Sequence, residues 1–273
     1  MILYKYVSYR TALQIIESNT IGFSSIDDVN DPFECTYFNF YDADEENIRS
    51  LYGYKNRFSR HYVLLSLTRN PLNTLMWAHY GDSHQGVVIG IDCDIAGFMD
   101  VEKSRIPAHL GEVIYTSNKP KPEKKSSLVN ELMSIGNDIK FKSDTSNLLR
   151  KAFLYKSIEW GYEEEVRVVK DLKYHIGSSH DEDVEFENKS GVWIRKNISS
   201  LGRPIFCFKL PKNSIKEVYF GRHVYRNTSR TKLVSDELSE KFNHLCLSKN
   251  IKIYQCEVDP YSWNLLSREK THE

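Results

Sequence analysis

The stretch Trp160-Gly161-Tyr162-Glu163-Glu164-Glu165-Val166-Arg167-Val168-Val169-Lys170 decides how this chain is read. Its valines predict a β-strand, in which Glu163, Glu165 and Arg167 alternate onto one face while Glu164, Val166 and Val168 take the other. Two carboxylates and a guanidinium then stand in a row. A solvent-facing antiparallel strand with cross-strand ion pairs explains such a row without any function. A site explains it as well. Trp160 and Tyr162 lead into three adjacent glutamates, which repel one another unless a cation stands close. Glu165, Glu163 and Arg167 are therefore the candidate catalytic group.

The 273 residues around this stretch hold 37 Lys and Arg against 37 Asp and Glu, so no global field steers the chain toward nucleic acid or an anionic membrane. Local patches are not excluded by that balance. No apolar run reaches membrane-spanning length, and Met1–Tyr6 passes directly into strand-like alternation, so a soluble, cytoplasmic protein with no membrane partner is expected. The five cysteines, Cys35, Cys93, Cys207, Cys246 and Cys256, are odd in number, scattered and without a Cys-x-x-Cys spacing, which argues for free thiols over a disulfide framework or a zinc site. His79 and His84 bracket Asp82, but the spacing matches no metal-ligand pattern, and no metal is expected.

Along the chain, Ile2–Tyr6 reads as an opening strand. Ser8 caps a helix with Ala12, Leu13 and Ile16 on its apolar stripe, and Asn19 stops it before a short strand at Ile21–Ser24. One helical turn at Ile26–Val29 delivers the proline-stiffened loop Asn30-Asp31-Pro32-Phe33-Glu34. A charged, helix-compatible segment at 43–60 leads to a strand at His61–Leu67, a helix at Asn73–Tyr80 with Gly81 as its C-cap, a polar turn at Asp82–Gln85, and a central strand at Gly86–Asp92. A third strand near Glu112–Tyr115 precedes a Lys/Pro-rich connector at 117–127, and a long helix is predicted over Leu128–Tyr155. Beyond the glutamate strand, 175–190 reads as a polar loop. Pro204–Leu210 and Ile215–Phe220 read as strands joined by Pro211–Ser214, Thr228–Lys249 as a helix and Ile251–Val258 as the last strand. Strands gather in two groups without regular strand-helix alternation. The expected fold is therefore α+β, a single domain on a split or strongly bent, mainly antiparallel sheet with flanking helices.

No phosphate-binding glycine loop, serine elbow, zinc-protease helix or kinase signature occurs. What remains are polar and aromatic islands at strand ends: Tyr4, Lys5 and Tyr6; Ser24; Asn30–Glu34; Trp77, His79 and Tyr80; and the glutamate row. Aromatics that stack a planar ring, hydroxyls and an amide that hold a sugar, and a carboxylate that stabilises positive charge are what a nucleotide glycosidic-bond reaction needs.

The motifs Leu3-Tyr4-Lys5-Tyr6, Asn30–Glu34, Met76–Gly81 with His84 and Gly86, and Trp160-x-Tyr162-Glu163-x-Glu165-x-Arg167 resemble the DUF2971 family of bacterial proteins of unknown function. The arrangement also resembles, at a distance, the ADP-ribosyltransferase fold of DNA-modifying toxins and phage-resistance proteins. That resemblance implies NAD as substrate, with Glu163 or Glu165 as catalytic carboxylate. It implies Tyr6 or Lys5 at the nicotinamide ribose and Tyr80 as a stacking aromatic, and offers no counterpart for the Asn30–Glu34 loop. Taken with the islands at the strand ends, the expected NAD-binding set is Tyr4, Lys5, Tyr6, Ser24, Asn30, Trp77, His79 and Tyr80, with Tyr80 and Trp77 stacking on the ring. The resemblance further implies a macromolecular acceptor, nucleic acid or protein, or a partner protein such as an antitoxin. The chain departs from that pattern in having no histidine in its first strand. The alternatives are a non-catalytic binding or regulatory protein of a defence or toxin-antitoxin locus, and a metal-dependent nuclease using Asp31, Glu34, His79 and His84. If the Asn30–Glu34 loop and the 76–84 segment build one pocket, Asn30 or Asp31 is expected to hydrogen-bond around His79 and Tyr80.

Overall fold

The structure, a computed structural model, describes residues 1–29, 31, 61–119, 150–172, 183–197, 204–225, 227–228, 231–232 and 234–270. The opening strand is β1 (Ile2–Val7). Ser8 then caps α1 (Tyr9–Ser18) by accepting a hydrogen bond from the Thr11 N–H, and the helix ends where Asn19 turns left-handed at φ 49°. Ala12, Leu13, Ile15 and Ile16 form its buried stripe. Strand β2 (Thr20–Ser25) follows, and a single 3₁₀ turn, Ile26–Asp28, leads out of it.

The centre of the molecule is β3 (Tyr62–Thr68). One edge of β3 pairs along its whole length with β7 (Glu165–Asp171), from Tyr62 opposite Asp171 to Thr68 opposite Glu165. Its other edge is shared: Val63 and Leu64 face β2, whereas only Thr68 faces β1, through Tyr4. Residues 65–67 thus have no strand partner on that edge among the described residues, and the sheet forks there. One wing runs from β1 through β4 (Val87–Asp92), β11 (Ile215–Phe220) and β14 (Lys252–Val258) to β15 (Leu265–Glu269). The other runs from β2 through β10 (Pro204–Lys209) and β9 (Gly191–Asn197) to β8 (Val184–Asn188). Among the described residues this open sheet has eleven strands, and of its pairings only β11–β14 is parallel. The result is a mixed α+β architecture, mostly sheet, with the forked, mainly antiparallel form expected from the two strand groups.

The core fills the space between the wings, α1 and α3 (Asp236–Ser248). Tyr9, Phe220 and Phe242 pack together on one side, and Phe23, Phe98, Trp193 and Phe208 on the other. The short helix α2 (Thr74–His79) has its first N–H groups capped by the Asn73 side chain.

Several sequence expectations change. Trp160–Glu163 is not strand: it belongs to a 3₁₀ turn, Ile158–Glu163, and Glu164 adopts left-handed φ 46° before β7 begins at Glu165. The third strand is β5 (Ile114–Thr116), which leaves the main sheet to pair in parallel with β6 (Tyr155–Ser157); the predicted long helix is present at 150–153 and stops before Tyr155. Part of the expected polar loop, 184–188, is strand β8, because Val184 and Phe186 alternate with Glu185 and Glu187. The predicted helix from Thr228 begins instead at Asp236, where Ser235 caps it, and a short hairpin of β12 (Asn227–Thr228) and β13 (Thr231–Lys232) precedes it. Strands β9 and β15 had no counterpart in the reading. The 43–60 segment, the 128–149 helix and most of the 117–127 connector lie outside the described residues.

Candidate functional site

Strand β7 delivers Glu165 and Arg167 to one face, and the 3₁₀ turn brings Glu163 to the same place by a different route. The row is not solvated. Glu163, Glu165 and Arg167 are 3%, 5% and 1% exposed, which rules out the surface-strand reading, since charges so buried persist only when paired. Arg167 holds Glu165 from two nitrogens, Nε to Oε1 at 2.8 Å and Nη2 to Oε2 at 2.9 Å, and gives Nη1 to the Phe153 carbonyl at 2.6 Å. Lys156, itself 6% exposed, bridges both acids, with Nζ 2.5 Å from Glu163 Oε2 and 3.1 Å from Glu165 Oε2. Tyr80, at the end of α2, donates to Glu163 Oε1 at 2.6 Å, and Tyr115 on β5 accepts the Glu165 N–H at 2.9 Å.

The edge of β7 away from β3 is covered by residues 105–113. Ile106 bridges Val169, Glu112 bridges Val166, and Gly111 accepts the Arg167 N–H at 2.8 Å. A Cβ on Gly111 would stand 1.9 Å from the Arg167 carbonyl oxygen, so only glycine admits this approach.

The network forms one wall of a cavity of about 220 Å³ in the fork of the sheet. Tyr4, Lys5 and Tyr6 of β1, Ser24 of β2 and Ser66 of β3 form the opposite wall, with Asp28 also bordering it. Lys5 reaches into the gap in β3 pairing and donates from Nζ to the Ser66 carbonyl at 3.0 Å. The Tyr4 and Tyr6 hydroxyls are engaged by Glu217 Oε1 and the Asn70 carbonyl, each at 2.8 Å, so these residues offer ring surface.

The two acids differ electrostatically. Burial raises the pKa of Glu163, and the hydrogen bonds from Lys156 and Tyr80 offset this only in part. Burial works the same way on Glu165, but there Arg167 and then Lys156 outweigh it and hold the carboxyl well below the usual range. Burial lowers the pKa of Lys5, against the pull of Glu165 and Glu163. Of the two, Glu165 is the acid held more firmly as an anion and Glu163 the one that accepts a proton more readily.

Of the residues singled out from sequence, Glu163, Glu165, Arg167, Tyr4, Lys5, Tyr6, Ser24 and Tyr80 converge on this cavity. Trp77 does not: it is fully buried behind Tyr6 and donates its indole N–H to the Pro71 carbonyl, so it cannot stack on a ligand. His79 is exposed beside Tyr162 and does not line the cavity. Asn30 lies outside the described residues; Asp31 is buried, and the expected pairing of that loop with His79 and Tyr80 therefore rests mostly outside them. A larger groove lies beside the β14–β15 connection. Lys156 and Tyr115 were missed. The one signal for Lys156 was the requirement for a cation near three glutamates.

Among the described residues no group of three or more His, Cys, Asp or Glu is arranged to hold a metal ion. Cys93, Cys207, Cys246 and Cys256 are free thiols, and no described helix is long and apolar enough to cross a membrane.

A forked α+β sheet with a buried acid-base network at its branch point defines the class. Residues 76–168 match the family described as Protein of unknown function (DUF2971), so the chain carries the DUF2971 signature over that stretch. No curated protein and no solved structure matches the chain. The matched stretch contains Tyr80, Tyr115, Lys156, Glu163, Glu165 and Arg167, and with them the network wall of the cavity.

Proposed function

We propose that the fork cavity is the reaction site of an enzyme that cleaves the nicotinamide-ribose bond of NAD and passes ADP-ribose to water or to a macromolecular acceptor. The observation that carries this reading is the convergence of Glu163, raised in pKa, with Lys156, Tyr80 and the β1 residues at the branch of the sheet. A forked antiparallel sheet with a carboxylate at the fork is the arrangement expected of an ADP-ribosyltransferase-like fold, an analogy of architecture. The cavity lies below the range of about 300–1,000 Å³ usual for whole-ligand pockets. It suits one ring-sized end of the dinucleotide.

In this reaction the C1′–N bond breaks, and its electron pair leaves on the nicotinamide nitrogen, discharging it. The oxocarbenium-like ribose is stabilised by the Glu163 carboxylate, and the attacking water or acceptor group gives its proton to that same carboxylate. Glu165 does not touch the substrate in this scheme. Locked by Arg167, it fixes Lys156, and Lys156 orients Glu163. Lys5, whose Nζ donates to the Ser66 carbonyl at the cavity wall, is placed to donate to a phosphate. The defence or toxin setting rests on the fold resemblance alone.

Incubating the purified chain with NAD and quantifying free nicotinamide tests the scheme; release that falls in Glu163→Gln supports it, and neither release nor NAD binding sinks it. The completeness of the network, in which Lys156 and Arg167 find all their named partners inside the protein, favours a second reading, a non-catalytic binding protein. Under it NAD binds without turnover.

A further inference from the structure

On the far side of Trp77 lies a second feature that the fork reaction does not use. The indole of Trp77 stacks on His84, ring centroids 6.2 Å apart at 13°, and His84 in turn faces His223 at 5.8 Å. His84 is presented by a strained turn: Asp82, Ser83 and His84 are three successive left-handed residues, with φ of 50°, 52° and 67°. L-residues rarely adopt this conformation singly and almost never in series. The strain persists because the turn is pinned from all sides. Gly86 donates to the Gly81 carbonyl at 2.8 Å, His84 to the Trp77 carbonyl at 3.2 Å, and His223 to the His84 carbonyl at 2.8 Å. Gly221 packs beneath it, where a Cβ would stand 2.3 Å from the His84 carbonyl oxygen. Strained, over-determined backbone of this kind concentrates at functional sites.

The turn borders a groove of about 1080 Å³ whose opposite wall is the β14–β15 connection. That connection is ordered by its own polar groups: Asp259 accepts from the Tyr261 N–H and the Ser262 hydroxyl, and Ser262 accepts from the Asn264 N–H. So held, it displays two aromatic side chains almost wholly to water, Trp263 at 100% and Tyr261 at 96% exposure. An isolated exposed aromatic is ordinary, but Trp263 also lines the groove, and its indole therefore offers a flat stacking face there. Across the groove stand Arg222, which no carboxylate pairs among the described residues, and the two imidazoles. The acid in the groove, Glu257, is already compensated by Arg268 at 3.1 Å. Burial, and then the nearness of His223 and Arg222, depress the pKa of His84, so the fixed positive charge of this wall is that of Arg222 and the imidazole is left as a hydrogen-bonding group.

We propose that this groove binds a nucleotide unit, its base stacked on Trp263 and its phosphate held by Arg222, His84 and His223. The unit is either free or part of a single strand, since a flat π-face beside a cationic wall serves both. The site is separate from the fork cavity, and its test needs no NAD turnover. The probes are a fluorescein-labelled single-stranded oligonucleotide of about 12 nucleotides, within the usual footprint of such sites, followed by anisotropy, and ADP as the free-nucleotide arm, followed by calorimetry. Trp263→Ala is expected to weaken binding about 5- to 150-fold, the worth of one stacked base. Arg222→Ala is expected to flatten the salt dependence of strand binding by about 0.7 in the logarithmic slope, one phosphate contact. Both side chains are exposed, so thermal unfolding of both variants should match the wild type. Binding of the strand alone or of ADP alone, lost in Trp263→Ala, supports the site and identifies the source. Absence of binding by both probes at about 1 mM, the weak limit of specific recognition, overturns it and leaves the platform to a protein partner. Binding in Trp263→Ala within a factor of about two of the wild type, well below the worth of a stacked base, overturns it equally.

Discussion

The fork cavity and the β14–β15 groove stand on opposite sides of one buried indole, Trp77, which edges Tyr6 at 5.2 Å and stacks on His84. Both combine cations with aromatic rings, yet they treat charge in opposite ways. In the fork every charged side chain of the network is at most 6% exposed and has its partner within the protein. In the groove Arg222 and Trp263 are exposed. The contrast follows from solvation, because a charge removed from water must be matched in place, whereas one left in water can wait for a ligand. Residues of the fork network therefore serve the fold as well as the site. Arg222 and Trp263, exposed in the groove, are free of that demand.

Substitutions should divide along that line. The largest expected effect is that of Arg167→Leu, which leaves Glu165 buried against Lys156 alone; removing one partner of a buried pair costs roughly 3–5 kcal/mol. Urea unfolding that shows less than about 1 kcal/mol, the range of a surface pair, would mean the network is ornamental. Acid should act on the same residue. The folded pKa of Glu165 lies below its unfolded value, so its contribution is present above roughly pH 4.3 and is lost as pH falls through the folded value. Glu165→Gln should flatten the acid limb of a stability-against-pH curve. Next in size is Gly221→Ala, whose added methyl meets the His84 carbonyl and should cost about 1–3 kcal/mol, with the thermal midpoint reporting it. Smallest is Trp263→Ala, expected to leave stability unchanged within about 0.5 kcal/mol.

Solvation also governs which elements are legible in the sequence. Strands β1, β2, β3, β4, β10, β11 and β14 were legible because burial writes itself as apolar alternation or an apolar run, and α1 because Ser8 and Asn19 mark its ends. Strand β8 carried the alternation Val184, Glu185, Phe186, Glu187 but was read as a loop for its acidity. The fork was implied by two strand groups, but its position depends on Ser24 and Tyr4 meeting β3 at different points, a long-range register that no local pattern encodes. The glutamate row was found, and the need for a nearby cation with it. That Lys156 would be that cation depends on β6 pairing with β5, forty residues earlier in the chain. Trp77 was misassigned because an aromatic in a helix reads alike whether it lines a cavity or fills the core.

The most direct test sets Glu163→Gln beside Glu165→Gln, measuring nicotinamide release from NAD and the thermal midpoint on the same preparations. Glu163→Gln keeps the Tyr80 contact but turns its amide N–H₂ toward the Lys156 ammonium, which stays paired with Glu165, so its midpoint should fall less than that of Glu165→Gln, while release per folded protein falls about 10²- to 10⁴-fold, the worth of a positioned acid-base group. Glu165→Gln should lower the midpoint, with any loss of release following the loss of folded protein. A Glu163→Gln variant that releases nicotinamide at the wild-type rate, or a wild-type chain that releases none, would contradict the account.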